Sequence, residues 1–331
     1  MKVLQITTNY PCKENPIFGI FMKEQVESVE KYGVENTIIF SNGLKSNPKI
    51  KFSASFIHLR TAMKLFWHLR THKYDVIHCH NVLAGLILKL AQGLNNRNTL
   101  LSLQNDPEFA GNSDNRFTAK LYPKFAKIIV KKQLKNHKEK FIYLPNGVNM
   151  ELFRPLDKTE CKQRLGLDPN KRYILFVDSN TFKARTQKRK DRFDEALEIL
   201  RKKYGHTNIE ELVMTKTLRE DVPVWMNACD LYLLSSDEEG SPNAVKECMA
   251  CNVPVVATPV GNIPDLFENV VDCKMTKHLS AEELAECADK VLKNTKPIST
   301  RQSIIDKGLD MDSIARKLFS LYKELAKNIA I

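Results

Sequence analysis

Two glutamates, Glu239 and Glu247, flank a short turn and are the strongest candidates for binding a polar ligand. The apolar run 230–236 predicts a buried strand before the turn, and the small and apolar residues 244–251 predict a helix after it. At the carboxyl end of a strand and the amino end of a helix, free N–H groups and the helix dipole favour a bound phosphate. Carboxylates suit sugar hydroxyls better than phosphate. The combination indicates a phosphorylated sugar or a nucleotide sugar, although an acidic turn that only caps a helix would explain the same residues.

The residues inside this turn suit a ligand that approaches the backbone closely. Gly240 permits close approach or a positive φ, and Pro242 suits the first turn of a helix. We therefore take the whole turn as a candidate donor-binding segment, which consists of Gly240, Ser241, Pro242, Asn243 and Ala244.

The segment from Glu239 to Glu247 resembles the E-x7-E signature of retaining GT-B glycosyltransferases, specifically glycosyltransferase family 4. Residues 250–261 resemble that family's next strand and glycine loop, and residues 221–230 resemble the helix before its motif strand. The spacing of the glutamates alone would be a weak signal, whereas the combined stretch is specific. The resemblance implies that Glu247 binds ribose hydroxyls and that Glu239 binds the donor sugar's hydroxyls beside the reacting carbon.

A basic segment, 178–190, lies between a predicted strand and the predicted helix 191–203. Arginine and lysine in such a loop can hold a diphosphate, and a solvated charge run is the alternative. Family 4 enzymes carry an arginine and a lysine in a similar loop. We take Arg185 and Lys188 as catalytic candidates and Lys190 as a donor-binding candidate; with the N–H groups of the turn they would stabilise a departing diphosphate.

Four further candidates follow predicted strands in the first half of the chain. By resemblance, Gly19 corresponds to a loop glycine beside donor phosphate and acceptor, and His80 ends a D-x-I-H-x-H segment near the cleft, as a catalytic candidate. After the strand 99–103 the family usually has His-Gly-x-Asp, whereas this chain has Gln104 and Asn105. Glutamine cannot act as a general base but can bond a sugar hydroxyl, so both are acceptor-side candidates. In the retaining mechanism the departing phosphate accepts the acceptor's proton.

Histidine and cysteine pairs raise the question of a metal. His78 and His80 would share one face of a strand, but no third ligand follows at a suitable spacing. Cys248 and Cys251 form one C-x-x-C inside a predicted helix without a second pair. We expect no metal, and we interpret these cysteines as small buried residues.

Composition places the chain among globular proteins with room for two domains. Its 331 residues are 43% hydrophobic and 27% charged. No apolar run approaches the roughly 20 residues that span a bilayer, and the first strand is too short for a signal-peptide core. The eight cysteines show no dense disulfide framework, which also fits a protein inside the cell. We therefore expect a protein that is either free in the cytoplasm or peripheral at the inner membrane face.

The net charge of +12 calls for a partner or a structural reason. Much of it lies in Lys120–Lys140, which could face nucleic acid, an anionic membrane surface, a phosphorylated acceptor or only solvent. No nucleic-acid module accompanies these lysines, and aromatic residues are not interleaved as base stacking requires. We therefore expect no nucleic acid and favour the membrane surface.

Strands alternate with helices twice along the chain, which predicts an α/β protein with two doubly wound, Rossmann-like domains. The resemblance implies GT-B architecture, in which the two face across a cleft that holds the ligand. The turn Pro145-Asn146-Gly147 resembles the family's interdomain segment. We therefore expect an acceptor-side domain at 1–144, a donor-binding domain at 145–310 and a last helix at 311–331 that packs back toward the first domain.

The expected function is a retaining, metal-independent hexosyl transfer from a UDP- or GDP-sugar, used as co-substrate without a further cofactor. The acceptor would be a glycan or a lipid-linked molecule in cell-surface polysaccharide biosynthesis. Two other classes stay open. A GT-B sugar-nucleotide epimerase or hydrolase could share the donor site, and a catalytically idle GT-B scaffold would bind nucleotide weakly.

Overall fold

A computed structural model describes residues 1–13, 15–41, 54–92, 98–104, 121–134, 139–178, 186–294 and 298–327. The chain divides into two compact units, one made of residues 1–147 and 311–331 and the other of residues 148–310. Each unit contains a parallel sheet with interleaved helices. The predicted α/β class is confirmed.

The first unit contains a sheet with the strand order β2-β1-β3-β4-β5-β6. Every pairing in it is parallel, and the strands read as short apolar runs because helices cover the faces of such sheets. Its elements are β1 (Lys2–Thr7), α1 (Ile20–Ser28), β2 (Glu35–Phe40), α2 (Ala54–Thr71), β3 (Val76–Cys79), α3 (Val82–Gln92), β4 (Thr99–Ser102), β5 (Lys127–Val130) and β6 (Phe141–Tyr143).

The second unit contains a parallel sheet with the order β11-β10-β9-β7-β8. Its core joins the central strands to the helices through fully buried residues such as Ile174, Leu233 and Phe193. Its elements are α4 (Lys158–Arg164), β7 (Arg172–Val177), α5 (Lys190–Lys202), β8 (Ile209–Met214), α6 (Val222–Ala228), β9 (Leu231–Leu234), α7 (Asn243–Ala250), β10 (Val255–Ala257), α8 (Ile263–Phe267), β11 (Cys273–Met275), α9 (Ala281–Leu292) and α10 (Thr300–Asp306).

The last helix, α11 (Met311–Lys327), belongs to the first unit. Its apolar stripe Ile314, Leu318, Leu321 and Leu325 is buried, as expected of a core-facing stripe. Tyr322 on the same helix is also fully buried. Helix α11 therefore completes the core of the unit that contains the chain's first strand.

The cysteines are free thiols, and Cys248 and Cys251 are both buried, as predicted. Burial raises the pKa of Cys251 to about 12, which keeps it a protonated, unreactive thiol. Within the described part of the chain, none of the helices combines the length and the apolar character needed to cross a bilayer.

Candidate active site

The turn that carries the two glutamates lies between β9 and α7, as predicted. Ser235 and Ser236 continue β9 as buried residues, and α7 begins at Asn243. Pro242 has an extended backbone, with φ −66° and ψ 110°, and lies just before the helix rather than in its first turn. The Oγ of Ser241 is buried and has no hydrogen-bond partner among the described residues.

A second loop, after β10, supports this turn through backbone contacts. Gly261 has φ +58°, and a Cβ there would lie 2.3 Å from the carbonyl oxygen of Gly240. The N–H of Asn262 donates to that same oxygen at 3.0 Å. Only glycine at 261 permits this approach, so the glycine loop recognised in the sequence holds the motif turn in position.

Glu239 is held by a cation and a hydroxyl. The Nζ of Lys188 lies 2.5 Å from Glu239 Oε1, and Ser236 Oγ donates to the same oxygen at 2.9 Å. The side chains of Lys188 and Glu239 are only 12% and 15% exposed. The structure thus brings together two residues that the sequence places in separate motifs.

Lys188 reaches this position because the end of the basic segment is tied to the end of β9. Residues Thr186–Lys188 form a short 3-10 turn. The Ser235 hydroxyl lies 2.9 Å from the carbonyl oxygen of Lys188, and the N–H of Asp237 donates to the carbonyl oxygen of Gln187 at 2.8 Å. Arg185 and Asn105 lie outside the described residues.

Glu247 pairs with an arginine that the sequence analysis did not identify. Arg219 Nη1 donates to Glu247 Oε1 at 2.7 Å, and the Arg219 guanidinium lies 4.5 Å from the centre of the Phe153 ring. Glu247 is 7% exposed. Arg219 follows β8 as Lys188 follows β7, so a basic residue in the loop after a predicted strand is the signal that could have found it.

A surface cavity of about 440 Å³ opens beside the loop that carries Arg219. Residues Thr215–Leu218 of this loop line it, together with Arg164 and Trp225. Lys216 within the loop has φ +50°, which turns the chain sharply after β8. The residues that line the cavity are therefore adjacent in sequence to Arg219, which pairs with Glu247.

Two other lysines near the motif have structural surroundings. Lys190 begins α5 and pairs with Asp194 and with Glu211, the latter at 2.7 Å. Lys246 is fully buried in α7, and desolvation lowers its pKa to about 7. Lys190 thus already neutralises two carboxylates of its own helix and sheet, which distinguishes it from Lys188.

In the first unit, His78 lies on β3 and His80 directly follows it on the same face, as the sequence predicted, and their rings stack with centres 4.0 Å apart. His78 bonds the hydroxyls of Tyr322 and Ser102 at 2.7 and 2.8 Å. His80 Nε2 lies 2.7 Å from Gln5 Oε1. Both rings are fully buried, so His80 exposes no surface to a ligand in this arrangement.

Burial also keeps these imidazoles neutral. Desolvation, aided by the charge of Lys131, lowers the pKa of His80 to about 3. The pKa of His78 is likewise well below its usual value, through desolvation and through His80 and Lys131. The two rings form the centre of an uncharged hydrogen-bond network that joins three strands to α11.

Gly19 and Gln104 lie near the ends of strands in the same unit. Gly19 has φ +73°, and a Cβ there would lie 2.4 Å from the carbonyl oxygen of Asn9, so the loop after β1 folds closely on itself. The half-buried Gln104 follows β4 and donates from Nε2 to the carbonyl oxygen of His80 at 3.3 Å. Gln104 therefore contacts the backbone of the segment that carries the histidines.

In its described part, residues 121–134 and 139–140, the lysine-rich segment exposes less charge than its composition suggests. Lys131 belongs to the segment Lys120–Lys140 that the sequence suggested for a charged surface, and for this residue the expectation is wrong: Lys131 is 2% exposed and donates to the carbonyl oxygen of Leu144 at 3.0 Å. Lys127 pairs with Glu324 at 3.2 Å. Lys120, Lys135 and Lys138 lie outside the described residues.

Metal-ligating side chains do not gather anywhere in the described ranges: no group of three or more histidines, cysteines, aspartates or glutamates could hold an ion there. The pair His78 and His80 is instead occupied by the neutral hydrogen bonds described above.

Comparison with known proteins relates the chain to glycosyltransferases. Residues 188–294, which include Lys188, Arg219 and both glutamates, match the family model described as glycosyl transferases group 1. Bacillus subtilis (strain 168) TuaC, named as a teichuronic acid biosynthesis glycosyltransferase, is 23% identical over 86% of this chain and 88% of its own. An Escherichia coli UDP-Gal:alpha-D-GlcNAc-diphosphoundecaprenol alpha-1,3-galactosyltransferase is 23% identical over 82% of this chain and 80% of its own.

The fold is that of GT-B glycosyltransferases. The crystal structure of Anabaena HepE in complex with UDP-glucose matches with a TM-score of 0.69, at 16% identity, over 98% of this chain and 99% of HepE. Together, the family match, the relatives and the fold support a GT-B glycosyltransferase.

Proposed function

We propose that this protein is a retaining, metal-independent glycosyltransferase of family 4 that transfers a hexose from a UDP- or GDP-sugar. The observation that carries the proposal is the pairing of both motif glutamates with cations from neighbouring loops, Glu239 with Lys188 and Glu247 with Arg219. A site built from alternating carboxylates and cations suits a ligand that has sugar hydroxyls at two places and a diphosphate between them.

Each pair has a distinct role in the proposal. Glu247 accepts hydrogen bonds from the ribose hydroxyls, and Arg219 holds its carboxylate in the required orientation. The cavity lined by Thr215–Leu218 takes the base, because Arg219, the next residue of the same loop, pairs with the glutamate that binds the ribose. Glu239 accepts hydrogen bonds from the hydroxyls of the transferred sugar, beside the carbon that reacts.

Lys188 and the backbone of the motif turn stabilise the leaving group. As the bond to the sugar breaks, negative charge develops on the diphosphate, and Lys188 moves from Glu239 toward it. The N–H groups of Ser241, Asn243 and Ala244 at the amino end of α7 add further donors. Lys190 and Arg185 stay candidates for binding the distal phosphate. Gly19 stays a candidate for a position at which the backbone approaches the donor closely.

The acceptor side needs no protein base in this mechanism. The departing phosphate oxygen accepts the acceptor's proton while the new glycosidic bond forms on the same face of the sugar. Gln104 and Asn105 then bind acceptor hydroxyls. The fully buried, neutral His80 positions Gln104 through its backbone carbonyl rather than transferring a proton.

We propose a glycan or lipid-linked acceptor, in cell-surface polysaccharide biosynthesis on the cytoplasmic side of the membrane. Support comes from relatives whose names carry such acceptors, including diphosphoundecaprenol in the Escherichia coli galactosyltransferase.

The first test is thermal unfolding of the full chain with UDP, GDP, ADP and their sugar conjugates. A ligand at a hundred times its Kd stabilises the folded state by about 2.7 kcal/mol. One nucleotide should raise the Tm of the wild type and of Glu198→Gln, a control at an exposed, lysine-paired glutamate, but not of Glu247→Gln. If no nucleotide shifts the wild type, the donor-site proposal is wrong.

Stereochemistry and acceptor dependence test the reaction itself. The anomeric configuration of the product, read by NMR, should equal that of the donor sugar. An inverted product would contradict the retaining mechanism. Donor consumption at an equal rate with and without acceptor would instead indicate a hydrolase or an epimerase.

A further inference from the structure

Among the described residues of the first unit, large exposed apolar side chains are concentrated on one helix, α2. Their exposed fractions are 50% for Phe56, 52% for Leu59, 59% for Met63 and 65% for Trp67. Spacings of three and four residues place them along one line of the helix. We call these four residues the α2 stripe.

The opposite side of α2 anchors the helix to its unit. Ala62 and Leu65 are buried in the core, and Leu69 packs against that same core. The outward direction of the α2 stripe is therefore set by packing, and the stripe is a fixed feature of the surface. Single exposed apolar residues are ordinary, whereas a contiguous row of large ones marks an interaction surface.

The charged side chains of α2 itself have one sign. Helix α2 contains no acidic residue, and its exposed Arg60 and Lys64 lie along one edge of the stripe. Arg70 adds a third positive charge and lies 4.1 Å from the centre of the Phe66 ring. The neighbouring α3 also contains no acidic residue and exposes Leu90 by 60%.

We propose that α2 docks on an anionic lipid bilayer, lying in the plane of its surface. The α2 stripe enters the boundary between headgroups and acyl chains, where tryptophan is favoured, while Arg60 and Lys64 contact lipid phosphates. An apolar line with basic residues and no acidic ones complements anionic lipids, and a bilayer accommodates a whole helix face. This surface differs from the lysine-rich segment Lys120–Lys140, and the inference does not depend on the proposed function.

The experiment is co-sedimentation of the full chain with vesicles of phosphatidylcholine alone or of phosphatidylcholine and phosphatidylglycerol in a 7:3 ratio. The wild type should bind the anionic vesicles and bind neutral ones at least about tenfold more weakly, with binding to the anionic vesicles falling as salt rises. Met63→Ser/Trp67→Ser should weaken binding by about tenfold or more. The matched control Val271→Ser/Leu279→Ser removes exposed apolar residues from the second unit and should bind as the wild type does.

A second pair of variants tests the charge, and fluorescence tests the depth. Arg60→Glu/Lys64→Glu should weaken binding to the anionic vesicles by about a hundredfold, whereas Lys317→Glu on α11 should change it little. In a Trp225→Phe background the emission of Trp67 should shift to the blue when anionic vesicles are added.

Three outcomes would overturn the proposal. These are no binding to the anionic vesicles, equal binding by the stripe variant and its control, and an unshifted Trp67 emission in the bound protein. Self-association that the stripe variant abolishes, measured by sedimentation velocity without vesicles, would assign the stripe to a second copy of the chain instead. None of these readouts uses nucleotide binding or transfer, so their failure is distinguishable from failure of the proposed function.

Discussion

His78 and His80 in the first unit and Glu239 and Glu247 in the second are both pairs of polar residues associated with an interior strand of a parallel sheet. The histidines lie on the strand or directly at its end, and both are fully buried. Glu239 lies several residues beyond its strand, in a turn supported by Gly261 and paired with Lys188. The two histidines form a neutral hydrogen-bond network, whereas each of the two glutamates forms an ion pair with a cation.

The difference follows from how far each residue lies beyond the last backbone hydrogen bond between its strand and the neighbouring strands. Inside the sheet, desolvation makes a charged imidazole costly, so the rings stay neutral and bond Gln5, Tyr322 and Ser102. Beyond the strand end, the loops after β7, β9 and β10 meet, and Lys188 and Glu239 form an ion pair there whose side chains are still 12% and 15% exposed. We infer that the first network supports structure and that the second performs the chemistry.

The largest effect is expected at Lys188. Lys188→Ala should lower kcat by about 10²–10³-fold, since loss of one preorganised charge donor at a developing anion has an effect of this size. Ground-state binding of the nucleotide sugar should change less, because the additional negative charge of the diphosphate develops only as the bond to the sugar breaks. Steady-state rates of nucleotide release, with the donor found by thermal unfolding, provide the measurement.

Lys190→Ala is the matched control for Lys188→Ala. It removes a lysine two positions away whose partners are Asp194 and Glu211, on its own helix and sheet. Loss of a contact to the distal phosphate would raise the KM for the donor, whereas we expect the effect on kcat to stay within about threefold. Equal losses in the two variants would mean that the basic segment acts only through its net charge.

Gly261→Ala should damage the second unit's site through the backbone. The left-handed conformation alone costs an alanine roughly 1–2 kcal/mol, and its Cβ would meet the Gly240 carbonyl oxygen at 2.3 Å. Gly166→Ala is the control, because Gly166 has φ +66° but no atom within 4 Å of an added Cβ. Urea unfolding should show a larger loss of stability for Gly261→Ala, accompanied by weaker nucleotide binding; similar losses would remove the glycine loop from the account of the site.

The buried histidines make the first unit sensitive to acid. Their pKa values in the folded state are below the usual 6.5, and that of His80 is about 3. Between pH 6.5 and pH 3 the unfolded chain therefore binds more protons than the folded one. The free energy of unfolding is highest above pH 6.5, as far as these histidines determine it, and decreases as the pH falls toward 3. The slope is about 1.4 kcal/mol per pH unit for each histidine.

Unfolding of the full chain in urea at pH 7.5 and pH 5.5 measures this slope. His80→Gln, which cannot titrate, should make the two values more similar, whereas His72→Gln at an exposed histidine should leave the difference unchanged. A difference that persists in full in His80→Gln would show that other groups cause the acid sensitivity.

Much of the site's framework could be predicted from the sequence. Strand–turn–helix order around Glu239 follows from short-range apolar patterns, and the glycine at 261 follows from the loop that it resembles. The shared face of His78 and His80 follows from the two-residue period of a strand. These features depend on neighbours in the chain, so local patterns are sufficient to find them.

The partners could not be predicted, because they are set by contacts between distant residues. The pairs Lys188–Glu239 and Arg219–Glu247 join residues 51 and 28 positions apart. Burial of Lys131 likewise depends on the distant carbonyl oxygen of Leu144, and its lysine-rich surroundings in the sequence suggested the opposite. The exposure of the α2 stripe could not be predicted either, because α2 has apolar residues on two sides and the sequence does not show which side packs against the core.

The smallest effect is expected at Gln104, where one substitution tests whether the first unit takes part in proton transfer. Gln104→His introduces the residue that family 4 enzymes commonly have after this strand, next to the His80 carbonyl that Gln104 now bonds at 3.3 Å. If the departing phosphate accepts the acceptor's proton, an added base changes kcat by less than about tenfold and adds no new ionisation near pH 6.5 to the kcat profile. Gln104→Asn, which keeps the amide and shortens its reach, serves as the control and should raise the acceptor's KM. A large gain in kcat with a new ionisation in Gln104→His alone would mean that the first unit contributes proton transfer after all, and that its neutral network limits this enzyme's rate.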